Sequence, residues 1–365
     1  MSDRAAFGTF FLPGPTEVTA GVLDAMTRPM MGHRGAEFEE LYARVQNGLR
    51  FVFRTRRNVY VSTSSATGMM EAAVRCAPPG PVLALVNGAF SARFAGIARA
   101  CDRDVTVVEV PLGSVHDLAG VEGALSARAF AAMMVVHSET STGALNDIES
   151  LAKIAHKHGA MILVDSVSGM GGAPVETDSW ELDFVLTGSQ KALALPPGLA
   201  FAAAGAEYLR RAQSAAARGI YFDVIEMEEF ASRNQTPSTP AISLLYAADA
   251  QLEKIRAEGM EARWARHAAM REMVAAWTGE LSAAGTKLGI LAAEGSRAPT
   301  VSAITLPIGV KGGALVANIA ERGFVVGSGY GKLKDSTFRI GHMGEHRPEG
   351  LARCLDACAE ALASG

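Results

Sequence analysis

The chain has 365 residues, 49% of them hydrophobic and 20% charged, with 38 glycines and a formal net charge of -4. That length predicts a large domain plus a smaller one, and the composition excludes disorder and a coiled coil. The slight acidity, with no Lys/Arg-rich run, gives no field for nucleic acid. At the N-terminus Pro13, Gly14 and Pro15 end the apolar patch Phe10-Phe11-Leu12 before signal-peptide length. The longest apolar runs, such as 131–136, fall far short of the ~20 residues that cross a bilayer. A soluble, cytoplasmic protein with small-molecule substrates and no nucleic-acid or membrane partner is expected. Cys76, Cys101, Cys354 and Cys358 stand singly or at helical spacing among apolar residues, as reduced core thiols do, and suggest neither a disulfide framework nor a zinc site.

From residue 58 to 204, short apolar or β-branched runs alternate with helical stretches, the pattern of a parallel sheet covered on both faces. The predicted strands are 59–62, 82–86, 105–110, 132–137, 161–165, 184–186 and 199–203. Between two of them, 148–158 places Ile148, Leu151, Ile154 and Ala155 on one helical stripe, away from Lys153, Lys157 and His158. Beyond Ser243 the pattern is helical to about residue 284, with a break at Glu258 and Gly259. Strands at 301–306, 324–326 and 338–340 and a last helix at 348–363 then describe an α+β lobe. The predicted division is an N-terminal segment 1–15, a large domain 16–257 and a small domain 258–365, closely packed, with no repeat and no low-complexity linker.

Three constellations carry chemistry. The run Ile162-Leu-Val-Asp165-Ser-Val167 ends a buried strand in a carboxylate, at the rim where open α/β sheets bind ligands. Val167, two residues on, faces the same side. An Asp beside a pyridine nitrogen keeps it protonated, and a protonated ring is an electron sink. Thr187-Gly-Ser-Gln-Lys191 puts a lysine at the end of the next strand, where burial lowers its pKa and lets it act as nucleophile and proton shuttle. The separation of 26 residues fits strand, crossover and strand, bringing both side chains to one rim. Ser62-Thr-Ser-Ser65-Ala66-Thr67-Gly68 leaves free N–H groups at a helix start, the makings of a phosphate seat. Taken singly, a loop Asp, a snorkelling surface lysine and ordinary N-capping account for the same residues.

Together these segments resemble the class V aminotransferases that use pyridoxal 5'-phosphate (PLP), and in particular the alanine/serine-glyoxylate branch. The likeness spans nearly the whole chain. It rests on Gly14-Pro-Thr, Gly32-His-Arg34, Asn87-Gly-Ala-Phe90, His137-Ser-Glu-Thr140-Ser-Thr-Gly143, Val164-Asp-Ser-Val167, Gly188-Ser-Gln-Lys191, Pro196-Pro-Gly198 and Phe338-Arg-Ile-Gly341, in that order. The resemblance implies an α/β, fold-type I PLP-dependent transferase, with a mostly parallel seven-stranded sheet in the large domain and a smaller C-terminal α+β domain. It also implies Lys191 as Schiff-base lysine and proton shuttle, and Asp165 as partner of the pyridine nitrogen. Phe90 and Val167 would cover the two ring faces, and Thr140 would bond the ring oxygen. Ser65, Ala66, Thr67 and Gln190 would seat the phosphate, Ala66 standing where the family usually has glycine. Arg339 would clamp the substrate α-carboxylate, with Gly14 beside the substrate. Ser238 or Thr239, in Gln235-Thr-Pro-Ser238-Thr239-Pro240, would reach the phosphate of the neighbouring subunit of a homodimer.

Other readings fit less well. No G-x-G-x-x-G follows the first large-domain strand, which argues against a dinucleotide fold. Gly327-Ser-Gly-Tyr-Gly331-Lys332 lacks the first P-loop glycine and reads as a flexible loop. His156 and His158 do not share a helix face, so solvated helix residues are expected and not a metal pair. Cys354 and Cys358 follow Arg339, whereas the cysteine of the cysteine desulfurases precedes their arginine motif. A silent PLP-binding regulator would be expected to lose the lysine, aspartate or arginine. The expected reaction is transamination between alanine or serine and glyoxylate or pyruvate. Transaminases of 2-aminoethylphosphonate with pyruvate, or of ureidoglycine with glyoxylate, are the nearest alternatives.

Overall fold

The computed structural model describes residues 7–364, so residues 1–6 of the predicted N-terminal segment, and Gly365, lie outside it. In chain order the strands are β1 (Phe10–Phe11), β2 (Val59–Ser62), β3 (Val82–Val86), β4 (Val105–Glu109), β5 (Ala132–Val136), β6 (Ser138–Glu139), β7 (Ala144–Leu145), β8 (Met161–Asp165), β9 (Phe184–Gly188), β10 (Ala200–Ala204), β11 (Gly289–Ile290), β12 (Val301–Thr305), β13 (Val325–Ser328) and β14 (Thr337–Gly341). The seven strands expected between residues 58 and 204 form one seven-stranded sheet, ordered β2-β10-β9-β8-β5-β3-β4. All its pairings are parallel except those of β10, which runs antiparallel to β2 and β9. Every residue of β3, β5, β8, β9 and β10 is buried, as continuous apolar runs covered on both faces must be, and only the edge strand β4 is half-exposed.

Helix Ile148–Lys157 buries Ile148, Leu151 and Ala155 against this sheet. His156 and His158 are not free solvated residues. The His156 ring pairs with the Asp183 carboxylate at 2.8 Å, and that hydrogen bond raises its pKa, while His158 faces Glu122 at 3.4 Å. The carboxylates come from other elements, which helix periodicity cannot show.

Helices Ile242–Glu258 and Met260–Ala283 meet at Gly259, whose φ of 82° is the left-handed conformation that favours glycine. A second sheet follows, ordered β1-β13-β14-β12-β11, and helix Pro348–Ala363 packs beside it. Its first strand comes from the other end of the chain, with Phe10 and Phe11 in parallel register with Val325 and Val326. A two-residue strand has no periodicity to read, so this pairing is not legible in the sequence. Gly327 and Ser328, expected in a flexible loop, belong to β13 and pair with Arg339 and Phe338 of β14. One apolar core runs from Val22 to Met260, and another gathers Phe11 with residues from Met270 onward. Among the described residues no helix is long and apolar enough to cross a membrane.

Candidate active site

The carboxyl ends of β2, β5, β8 and β9 open into a cavity of about 220 Å³, and the chain leaving each strand lines it. β8 brings Asp165, Val167 and Ser168, and the turn after β9 brings Gln190 and Lys191. From the turn after β2 come Ser65, Ala66 and Thr67, and from the chain after β5 come Ser138 and Thr140. Helix Ala89–Ala100, which follows β3, contributes Phe90 and Arg93. This is the crevice at which open α/β sheets bind ligands.

Asp165 is 2% exposed and Lys191 7% exposed. Burial pushes the Asp165 carboxyl up to about 7, against one hydrogen bond donated by Val167 N at 2.8 Å. Burial likewise brings the Lys191 amine down to about 7, with the positive charge of Arg339 adding to the effect. The two groups act on each other electrostatically but form no ion pair, so the carboxyl has acceptor capacity left inside the cavity. Lys191 Nζ donates to Pro13 O. Thr16 fastens the same turn, its Oγ1 donating to Lys191 O at 3.1 Å and its N to Gln190 O at 2.9 Å. Gly14, expected beside the substrate, lies against the lysine at φ 102°, and a Cβ there would stand 2.5 Å from Lys191 Cδ.

Ser65 is the N-cap of helix Ala66–Cys76 in extended conformation, and its hydroxyl makes no capping bond. The first N–H groups of any helix lack intrahelical partners, so this turn offers backbone donors, a hydroxyl and the positive end of the dipole together. Ala66 begins the helix and is not among the residues with positive φ, so the family's glycine is not required by the backbone here. Thr140 Oγ1 lies 2.5 Å from Ser168 Oγ. Arg339, on β14 of the second sheet, is 9% exposed and forms no surface ion pair. Its Nη1 donates to Thr140 O at 3.1 Å and its Nε to Ser328 O at 2.9 Å, so it is aimed at the cavity's edge.

Ser238 and Thr239 are not brought into this cavity. They line a separate groove with Ser62, Thr63 and Tyr221, and Arg34 of the Gly32-His-Arg34 motif holds their loop by donating to Thr236 O at 2.7 Å and Pro237 O at 3.0 Å.

Glu139, Arg93 and Ser168 were not singled out from sequence. Glu139 is fully buried and knits the start of helix Ala89–Ala100 to the segment after β5. Its Oε2 accepts from Phe90 N at 3.1 Å, Ser91 N at 2.9 Å and Ser91 Oγ at 3.0 Å, and its Oε1 from Ser141 N at 3.1 Å and Ser141 Oγ at 2.6 Å. A glutamate three residues past a wholly apolar strand was the available signal, because such a group is buried only when it is satisfied.

Residues 14–331 match the family model described as aminotransferase class-V. The chain is 32% identical to the serine–glyoxylate aminotransferase of Methylorubrum extorquens over 353 residues, covering 92% of this chain and 86% of that protein. It is also 32% identical to the L-aspartate–glyoxylate aminotransferase of Paracoccus denitrificans over 347 residues, with the same coverage. The crystal structure of alanine–glyoxylate aminotransferase from Nostoc sp. superposes with a TM-score of 0.91 at 29% identity, covering 99% of this chain and 97% of that one. Matched across most of its length in sequence and throughout its fold, the chain belongs to the class V aminotransferases.

Proposed function

We propose that the cavity binds PLP and that the protein moves an amino group from alanine or serine to glyoxylate or pyruvate. One observation carries this reading. A buried amine and a buried carboxyl, Lys191 and Asp165, face one cavity, each pushed by burial toward its neutral form and neither neutralised by the other. The donor set suits the cofactor: an open carboxyl for the ring nitrogen, an amine for the aldehyde, and an uncapped helix start for the phosphate. When bound, PLP supplies an electron sink next to the substrate Cα.

In this reading Asp165 would accept the ring N–H and favour the protonated nitrogen as an ion pair. Lys191, its amine pushed toward the neutral form by burial, would be nucleophilic enough to hold the aldehyde carbon. With the donor amine bound beside it, Nζ would serve as the general acid–base for the proton at the substrate Cα, work typically worth about 10²–10⁴-fold. Arg339 binds the α-carboxylate through its planar fork. Phe90, Val167 and Thr140, which line the cavity, would cover the ring faces and bond its oxygen. Ser65, Ala66, Thr67 and Gln190 hold the phosphate, joined by Ser238 or Thr239 of a second subunit in a homodimer. The chain divides into the segment 1–15 and domains 16–257 and 258–365, and works in the cytoplasm. Relatives named for serine–glyoxylate and alanine–glyoxylate transfer support this choice of substrates.

The test is to mix the PLP-loaded protein with alanine or serine alone and then with glyoxylate or pyruvate. The visible absorbance should fall with the donor and return with the acceptor. A spectrum that ignores every donor contradicts the assignment.

A further inference from the structure

Arg93 lines the cavity of Lys191, yet among the described residues no carboxylate pairs with it. Arg263 and Arg266, by contrast, meet carboxylates: Arg263 meets Glu258 at 2.7 Å and Glu345 at 2.8 Å, and Arg266 meets Glu258 at 2.6 Å. Arg93 is held by aromatic rings instead. Its Cζ lies 5.0 Å from the Phe90 ring centroid, and its Nη2 donates to the Tyr330 hydroxyl at 3.1 Å. The face of Tyr330 is occupied by Arg339, which likewise meets no carboxylate and whose Cζ lies 5.4 Å from the ring centroid. One tyrosine thus spaces two guanidinium groups, Arg339 buried at the cavity's edge and Arg93 exposed at its mouth.

We infer that Arg93 is a second anion-recognition point, set for the side-chain carboxylate of an α-amino dicarboxylic acid, so that the site takes donors of that class besides alanine and serine. The inference rests on the proposed reading, in which Lys191 meets the donor amine and Arg339 its α-carboxylate. Phe90 ties Arg93 to Lys191, as Tyr330 ties it to Arg339. Lys191 Nζ is 5.9 Å from the centroid of the same ring that Arg93 covers. A donor whose amine has come to Lys191 and whose α-carboxylate has gone to Arg339 therefore has Arg93 as the next cation within reach of its side chain. A guanidinium fork matches a carboxylate in two parallel hydrogen bonds. Because Arg93 stands at an exposed mouth, that contact forms without the full desolvation penalty of a buried ion pair. A methyl or hydroxymethyl side chain makes no such contact.

The test uses the PLP-loaded protein. Aspartate, alanine and serine are mixed with wild type and with Arg93→Gln, and the second-order rate constant for loss of the cofactor's visible absorbance is measured for each. Wild type should convert aspartate, and Arg93→Gln should lower the aspartate-to-alanine ratio of rate constants by roughly tenfold or more, the scale of one lost charge-assisted hydrogen bond. A loss common to all donors cancels in that ratio. An unchanged ratio, or a wild type that converts alanine but not aspartate, overturns the inference and leaves transamination standing. A wild type that converts no donor removes both. Competition in wild type decides the matter without any variant. Succinate should inhibit the alanine reaction roughly tenfold more tightly than butyrate, a monocarboxylate of equal length, and equal inhibition overturns the inference.

Discussion

Asp165 has one backbone N–H to stabilise its charge and is otherwise enclosed, so ionising it in the folded chain is costly. Its pKa is raised to about 7, which means that the folded, cofactor-free protein holds this proton more tightly than the unfolded chain does. The stability Asp165 contributes is therefore complete below the unfolded pKa of about 4 and is lost as pH rises through about 7. Asp165→Asn, which cannot ionise, should match wild type near pH 4 and be more stable above pH 7, by on the order of 4 kcal/mol for a shift of about three units. Urea denaturation of the cofactor-free proteins across that range checks this. A difference that stays flat between pH 4 and 7 would mean the carboxyl is not desolvated. Lys191 and Asp165 were legible in the sequence because each stands at the end of an apolar strand. Arg93 was not: it sits on a helix among alanines, and its role depends on Tyr330, which lies far away in the chain.

At the scale of single elements, the start of helix Ala89–Ala100 is set by a side chain outside it. Glu139 satisfies two of that helix's first N–H groups and the Ser91 hydroxyl, and through Ser141 it fixes the chain leading from β5 into Thr140 and the β6–β7 hairpin. Phe90 and Thr140, proposed to touch the cofactor ring from two directions, therefore share one buried anchor. Removing it leaves several buried donors unsatisfied, each costing about 1–3 kcal/mol. Glu139→Ala should lose roughly 3 kcal/mol or more of stability, read from the midpoint and slope of chemical denaturation, and the protein that remains folded should hold PLP more weakly. A change below about 0.5 kcal/mol would show that water replaces the carboxylate at no cost. Strand and helix positions were readable here from apolar periodicity, with strand ends misplaced by at most two residues in the seven-stranded sheet. The hairpin at 138–145 and the strand at Phe10–Phe11 were not. Their pairing is fixed by partners distant in sequence, and two residues carry no period.

Across the whole molecule, the N-terminal segment links the second sheet to the lysine. Phe10 and Phe11 pair with β13, and within a few residues Pro13, Gly14 and Thr16 all contact the Lys191 turn. Ser238 and Thr239 face a groove separate from the cavity, which accords with their proposed service to a second subunit. Sedimentation should accordingly give twice the mass of one chain, and Ser238→Ala with Thr239→Ala should weaken PLP retention without changing that mass. A monomer with full activity would refute the shared-site arrangement. The class of fold and the main sheet could be derived from the chain alone because a buried parallel sheet writes itself as apolar runs. Which surfaces complete the site could not, since the same polar residues suit a solvated loop.

The proposed chemistry depends on PLP being carried by Lys191. Reducing the PLP-loaded protein with borohydride fixes the cofactor to whichever amine holds it, and mass mapping of the peptides then locates the adduct. It should be found on the peptide containing Gln190-Lys191-Ala192 and on no other. An adduct on a different lysine, or none after reduction of a coloured sample, would contradict the assignment.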